Sequence, residues 1–241
     1  GSEMCIRDRV MADAERLSAE DEPYHREPIT YEAPYLDNLP TAPREKFAAN
    51  IAAIQKLKEI EQRVANGGSP AFEDEQKILA QYTGWGGLSD AFDPNKSAWS
   101  NEYSQLKAAL SESEYEAARS STLTAFYTPA TVIHPIYRAL ERFGVKGGKI
   151  LEPSMGTGAF LAHGHFGSSD AKFYGVELDS ITGRISKQLY QKANIQVTGY
   201  ENALLPDNYF DCVIGNVPFG NFQVNDPQYN RCLLYTSPSP R

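Results

Sequence analysis

The stretch Lys149–Phe160, KILEPSMGTGAF, constrains this chain more than any other. Ile150 and Leu151 give a short apolar strand run that ends on an acid, Glu152. Pro153, Gly156 and Gly158 follow, and Phe160 and Leu161 then resume an apolar pattern. The order is strand, glycine turn, helix. Glycine suits such a turn because the backbone bends tightly there and a ligand can approach where a Cβ would clash. In an open α/β sheet the crevice at the carboxyl end of the strand is the usual ligand site. A GxG after a strand also fits an ordinary tight turn, so its neighbours decide the reading.

Those neighbours alternate in texture. From Leu123 short apolar runs are separated by turns and helical patterns, as in a parallel sheet with crossover helices. Strands are expected at Lys149–Glu152, Phe173–Glu177, Ile195–Thr198 and Asp211–Gly215, about four in all. Helices are expected at Thr131–Phe143, Gly158–His163 and Ser180–Ala193. Upstream, Phe47, Ile51, Ile54, Leu57 and Val64 recur at helical spacing until Gly67 and Gly68 stop the pattern. Ser69 and Pro70 open a second helix to about Tyr82, and a third spans Ala98–Leu110. Ser111 and Glu114 form a capping-box signature for a fourth. The segment QYTGWGGLSDAFDP reads as a packed turn around Trp85. The expected organisation is a tail and acidic, proline-punctuated linker over 1–40, disordered; a helical subdomain over 41–120; an α/β core over 121–229, short of a full sheet; and a non-native-looking tail over 230–241. The ends GSEMCIRDRV and RCLLYTSPSPR read like translated adapter text and carry no functional assignment.

Composition narrows the function classes. The 241 residues are 41% hydrophobic, ordinary for a chain with a core. No apolar run approaches the ~20 residues that span a bilayer, and no leader pattern is visible, which reads as cytoplasmic. Cys5, Cys212 and Cys232 lack metal or disulfide spacing, and His134, His163 and His165 read as loop or helix-end residues. A net charge of −8 supplies little of the phosphate attraction that drives nucleic-acid binding.

Three further features fall at strand ends or helix starts. Glu177 closes the next strand about twenty residues beyond the turn, where an acid commonly takes ribose hydroxyls. A nicotinamide cofactor stays open at this point, although the turn is not GxGxxG and Glu152 suits a cationic ligand better than a pyrophosphate. Asn216-Val217-Pro218-Phe219 follows the run CVIG; an amide oxygen, a rigid turn and an aromatic ring together can hold an exocyclic amine and stack on its base. Phe126-Tyr127-Thr128-Pro129 would start a helix and place its N–H donors near a carboxylate.

Taken in order, FYTP, EPSMGTGAF, GVELD and NVPFG resemble the S-adenosylmethionine-dependent N6-adenine DNA methyltransferases, and most closely the methylase region of large methylase-helicase proteins of phages, plasmids and conjugative elements. The resemblance covers about Tyr82–Tyr229. It implies a Rossmann-like methyltransferase fold, truncated here, with S-adenosylmethionine as cofactor and DNA adenine as substrate. It further implies DNA-recognition and helicase regions downstream in the same polypeptide. Tyr127, Thr128 and Pro129 match the motif holding the methionine part; Glu152, Pro153, Gly156 and Gly158 match the cofactor turn; Glu177 matches the ribose acid. Leu178 would pack on the cofactor's adenine, and Glu201 falls where the family contacts that adenine's amine. Asn216 and the Val217 carbonyl would accept the target N6 hydrogens, Pro218 would fix the turn, and Phe219 would stack on the base. Val217 stands where the family usually has proline, and Met155 where a small residue or cysteine is common. Alternatives are a non-catalytic methyltransferase-like module of a helicase and a protein glutamine-amide methyltransferase.

Overall fold

The structure is a computed structural model that describes residues 27–31, 39–122, 127–164 and 171–217. Helix α1, Pro43–Ala65, begins on a proline whose missing N–H is not needed there, and it buries Phe47, Ile51, Ile54, Leu57 and Ile60 along one face. Helix α2, Glu73–Leu79, and α3, Ser100–Ala109, pack against it. Helix α4, Glu112–Ser121, has the predicted capping box: Glu114 N donates to Ser111 Oγ at 3.3 Å and Ser111 N to Glu114 Oε2 at 2.8 Å. Helix α5, Ala130–Arg142, is preceded by Pro129 at its N-cap.

The sheet comprises β1, Gly148–Glu152; β2, Ala171–Glu177; β3, Asn194–Val197; and β4, Cys212–Val213. Helices α6, Ala159–Ala162, and α7, Ser180–Leu189, connect the first three. The strands are all parallel in the order β3-β2-β1-β4. The chain therefore moves outward from β1 through β2 to β3 and returns to the far side of β1. That reversal opens a crevice beyond the carboxyl ends of β1 and β4, the place where such sheets bind ligands. This is the expected α/β fold, a Rossmann-like parallel sheet of four strands among the described residues, with helices upstream. Strand β4 is shorter than the Asp211–Gly215 read from the sequence, although bonding to β1 continues at both ends, Asp211 N to Lys149 O and Ile214 N to Leu151 O, each 2.9 Å. Beyond Ile214 the backbone leaves the ladder.

The helical layer and the sheet share a core. One apolar cluster runs from Ile54, Leu57, Leu79 and Trp85 to Ile181, Ile185 and Tyr190 of α7 and its end. A second, under α5, joins Ile133, Tyr137, Ile150, Phe160 and Ile214. Charges cross the same seam: Arg184 of α7 pairs with Glu114 of α4 at 2.6 Å and with Glu61 of α1 at 3.4 Å. Residues 27–31, inside the stretch read as a linker, lie antiparallel against the end of α7. Tyr31 N donates to Leu189 O at 2.7 Å, and the Tyr31 ring is buried. The rest of 1–40 apart from 39–40, and all of 230–241, lie outside the described residues.

Candidate active site

Strand β1 sends Ile150 to one core cluster and Leu151 to another, and then delivers Glu152 to the crevice edge. The turn after it is pinned from several sides. Met155 N donates to Val176 O at 3.0 Å, and Gly158 N donates to Met155 O at 2.8 Å. Helix α7 clamps the carbonyls: Ser186 Oγ donates to Gly156 O and the Tyr190 hydroxyl to Thr157 O, each at 3.1 Å. Gly156 and Gly158 have φ of +54° and +77°, and a Cβ on them would lie 2.6 Å from the Tyr127 ring and 2.4 Å from the Tyr190 ring. Both glycines are thus required by conformation and by space. Met155, the departure from small residues in this loop, turns inward over Gly175, whose missing Cβ makes room for its sulfur.

Glu177, at the end of β2, is joined to that turn. Its Oε2 accepts from Gly156 N at 2.7 Å and its Oε1 from Asp179 N at 2.8 Å. Burial pushes its carboxyl above the usual range, while the N–H groups of Asp179 and Gly156 pull against that shift. With the Leu178 N–H also acting on it, the carboxylate still keeps acceptor capacity for a further donor. Leu178, the next residue, is 76% exposed at the crevice rim.

Glu152 is 3% exposed, and among the described residues its Oε2 has no hydrogen-bond partner. The hydroxyls of Tyr137 and Tyr190 are close enough to feel its charge, but they donate to the carbonyls of Phe160 and Thr157. Among the described residues no cation pairs with it. Burial first, and the charge of Glu177 second, drive its carboxyl well above the usual range. A buried carboxylate without a partner is costly unless something supplies positive charge.

The Asn216 segment meets this acid from the other side of the reversal. A Cβ on Gly215 would lie 3.5 Å from Glu152 Cγ and from Pro153 Cδ, so Asn216 emerges beside them. Asn216 and Val217 are exposed; Pro218 and Phe219 lie outside the described residues, as does Phe126. Tyr127 lays its ring on Gly156, and Thr128 and Pro129 lead from it into α5, so the start of that helix borders the turn. Glu201 is not drawn in. It sits exposed in the 3-10 turn Tyr200–Asn202 after β3, one strand farther out than Glu177, and its Oε1 accepts from Asn202 Nδ2 at 3.0 Å.

Two features escape sequence reading. Asp179 caps α7 by accepting from Thr182 N at 2.7 Å, while its other oxygen, beside Glu177, is buried without a partner among the described residues. An aspartate just before Ser-Ile-Thr was the available cue. Gly84, in the helical layer, packs on the Tyr127 hydroxyl; the glycines around Trp85 marked a turn and not its neighbour. His134 Nε2 and His163 Nδ1 lie 3.2 Å apart, His165 lies outside the described residues, and no group of metal-binding side chains occurs among those described. No helix among them is long and apolar enough to cross a membrane.

Comparison with known proteins adds a family to this geometry. The chain is 28% identical over 198 residues to "Defense against restriction protein B" of Escherichia phage P1, covering 81% of this chain and 7% of that protein. It is 33% identical over 95 residues to "Modification methylase CviBIII" of Paramecium bursaria Chlorella virus NC1A, covering 39% of this chain and 25% of that one. The chain therefore spans a small part of either relative, and no solved structure matches it. The family model described as N-6 DNA Methylase matches residues 112–236, more than half of the chain and the whole of the crevice. The chain belongs to the N-6 DNA methylase family.

Proposed function

We propose that the chain binds S-adenosylmethionine in the crevice between β1 and β4 and directs its methyl group to the N6 amine of adenine in DNA, as part of a larger polypeptide. The observation that carries this reading is Glu152: a buried carboxylate oxygen without a partner, at the reversal point of the sheet and beside Asn216. A cationic ligand satisfies it, and the residues around it fit this one. When bound, the cofactor supplies a methyl group already activated on a positively charged sulfur.

The chain's own residues then bind and orient. Glu152 takes the positive charge of the methionine portion, with Pro153 and the turn at Gly156 and Gly158 shaping the floor. Thr128 and Pro129, at the start of α5, face the methionine end. Glu177 is already held by Gly156 N and Asp179 N, so its remaining lone pairs accept the ribose hydroxyls without moving. Leu178 covers the adenine face, and Glu201 reaches its amine only by turning away from Asn202.

Asn216 and the Val217 carbonyl accept the two hydrogens of the target amine, which aims its lone pair at the methyl. Neither group is a base, so they orient the amine, and its proton leaves to solvent. Pro218 and Phe219 complete the grip by turn and stacking, on a base taken out of the duplex. Val217 keeps the carbonyl acceptor although the usual proline is missing. The acidic chain contributes little phosphate attraction, so DNA recognition and helicase regions of the longer protein hold the substrate.

Calorimetric titration of the chain with S-adenosylmethionine tests the binding step. We expect one site whose heat varies with the ionisation enthalpy of the buffer. The raised carboxyl of Glu152 must release its proton to pair with a cation, so affinity rises with pH until that group is fully ionised and is flat above. Absence of any heat, in every buffer, would refute the reading.

A further inference from the structure

We infer that the loop Thr83–Gly87 of the helical layer is a positioning element of the cofactor site, acting through Tyr127. The inference rests on the reading of the crevice given above and extends it to residues outside the span matched by the family model. The loop is held rigidly. Asn50, fully buried in α1, donates from Nδ2 to Gly84 O at 2.7 Å and accepts from Thr83 N at 2.8 Å. Lys46 Nζ donates to Gly86 O at 2.9 Å, and Gly87 N donates to Thr122 O at 3.1 Å. Trp85, 1% exposed, anchors the centre of the loop edge-on against Phe92, their rings 5.3 Å apart.

What this rigid loop presents to the site is one backbone surface. Gly84 has φ of +67°, and a Cβ there would lie 2.4 Å from the Tyr127 hydroxyl oxygen. The opposite edge of the same ring lies on Gly156, where a Cβ would be 2.6 Å from Cε1. Tyr127 is therefore a wedge between two glycines, one in the helical layer and one in the cofactor turn. Gly156 in turn gives its N–H to Glu177, the proposed ribose acid. A displacement of the loop has a direct route: Gly84 to Tyr127, Tyr127 to Gly156, Gly156 to Glu177. The loop after α2, pinned by Lys46 and Asn50 of α1, thus backs the side wall of the site through Tyr127, and the helical layer serves binding as well as packing. Close-packed contacts of this kind transmit small shifts because neither glycine leaves slack.

Hydrogen exchange on the wild-type chain, with and without S-adenosylhomocysteine, gives the first test. The cofactor product is expected to protect 83–87 together with 152–158 and 177–179. Binding that protects the latter two and leaves 83–87 unchanged would overturn this inference alone, whereas no binding at all would count against the site itself. A second test measures the affinity of variants for the same ligand. Gly84→Ala is expected to weaken it about tenfold or more, by driving the Tyr127 ring into the turn. Adding Tyr127→Phe removes the atom that the new Cβ strikes, so the double variant should bind more tightly than Gly84→Ala. Unchanged affinity in Gly84→Ala, or losses that simply add in the double variant, would contradict the proposal. If Gly84→Ala does not fold, the exchange experiment decides.

Discussion

Glu152→Gln is expected to make the free protein more stable while weakening its affinity for S-adenosylmethionine. The reason is the isolation of this carboxylate: it is buried, one oxygen is unpartnered, and Glu177 adds like charge. Its carboxyl is raised in the folded state, so it favours folding in its protonated form at low pH. That contribution is present below the ordinary carboxylate range and is lost as pH rises through the raised folded value. Glutamine keeps the shape and never ionises. The variant should therefore match the wild type below about pH 4 and gain on it as pH rises toward neutrality. Relieving a buried, poorly satisfied group is worth on the order of 2 kcal/mol, about 4–8 °C in Tm for a chain of this length. The same change deprives a cationic ligand of its partner, and loss of one member of a buried charge pair costs ~2 kcal/mol or more, roughly 30-fold in Kd. Thermal melts from pH 4 to 8 and calorimetry check both halves. A variant less stable than the wild type at neutral pH, or one that binds equally well, would show that Glu152 is satisfied by other means.

Asn216→Ala should do the converse. Asn216 is exposed just past the last strand, so truncation leaves no hole in the core. Cofactor affinity and Tm should remain close to wild type, because Glu152, Glu177 and the glycine turn are untouched. Methyl transfer to DNA by the full-length protein should fall at least about 100-fold, the scale on which lost orientation of a reacting group is felt. Comparison of kcat with cofactor affinity separates the two. Loss of both together would mean that Asn216 supports the fold or the cofactor and does not hold the target amine.

The local parts of this arrangement were legible in the sequence because local rules fix them. Gly156 and Gly158 occupy left-handed backbone, and Ser111 with Glu114 closes a cap, as their spacing indicated. The strand run before Glu152 and the acid at Glu177 mark the ends of β1 and β2. Long-range relations were not legible. Nothing local states that β4 returns beside β1, yet that placement sets Asn216 next to Glu152. Nor does spacing reveal that Glu177 bonds Gly156 N, or that Gly84 meets Tyr127 far along the chain. Residues 27–31 show the same limit. Their composition suggested a linker, whereas hydrogen bonds to Leu189 and Gln191 hold them against α7. Glu201 was placed only by its position after the third strand, and spacing did not show that its side chain accepts from Asn202.

The central claim is that a methyl group passes from the Glu152 crevice to an adenine amine at Asn216. The most direct measurement incubates the full-length protein with methyl-labelled S-adenosylmethionine and adenine-containing DNA, digests the DNA, and separates the nucleosides. The expected result is label in N6-methyldeoxyadenosine, present with the wild type and absent with Asn216→Ala. Label on cytosine or on protein, or none on DNA while the cofactor demonstrably binds, would contradict it.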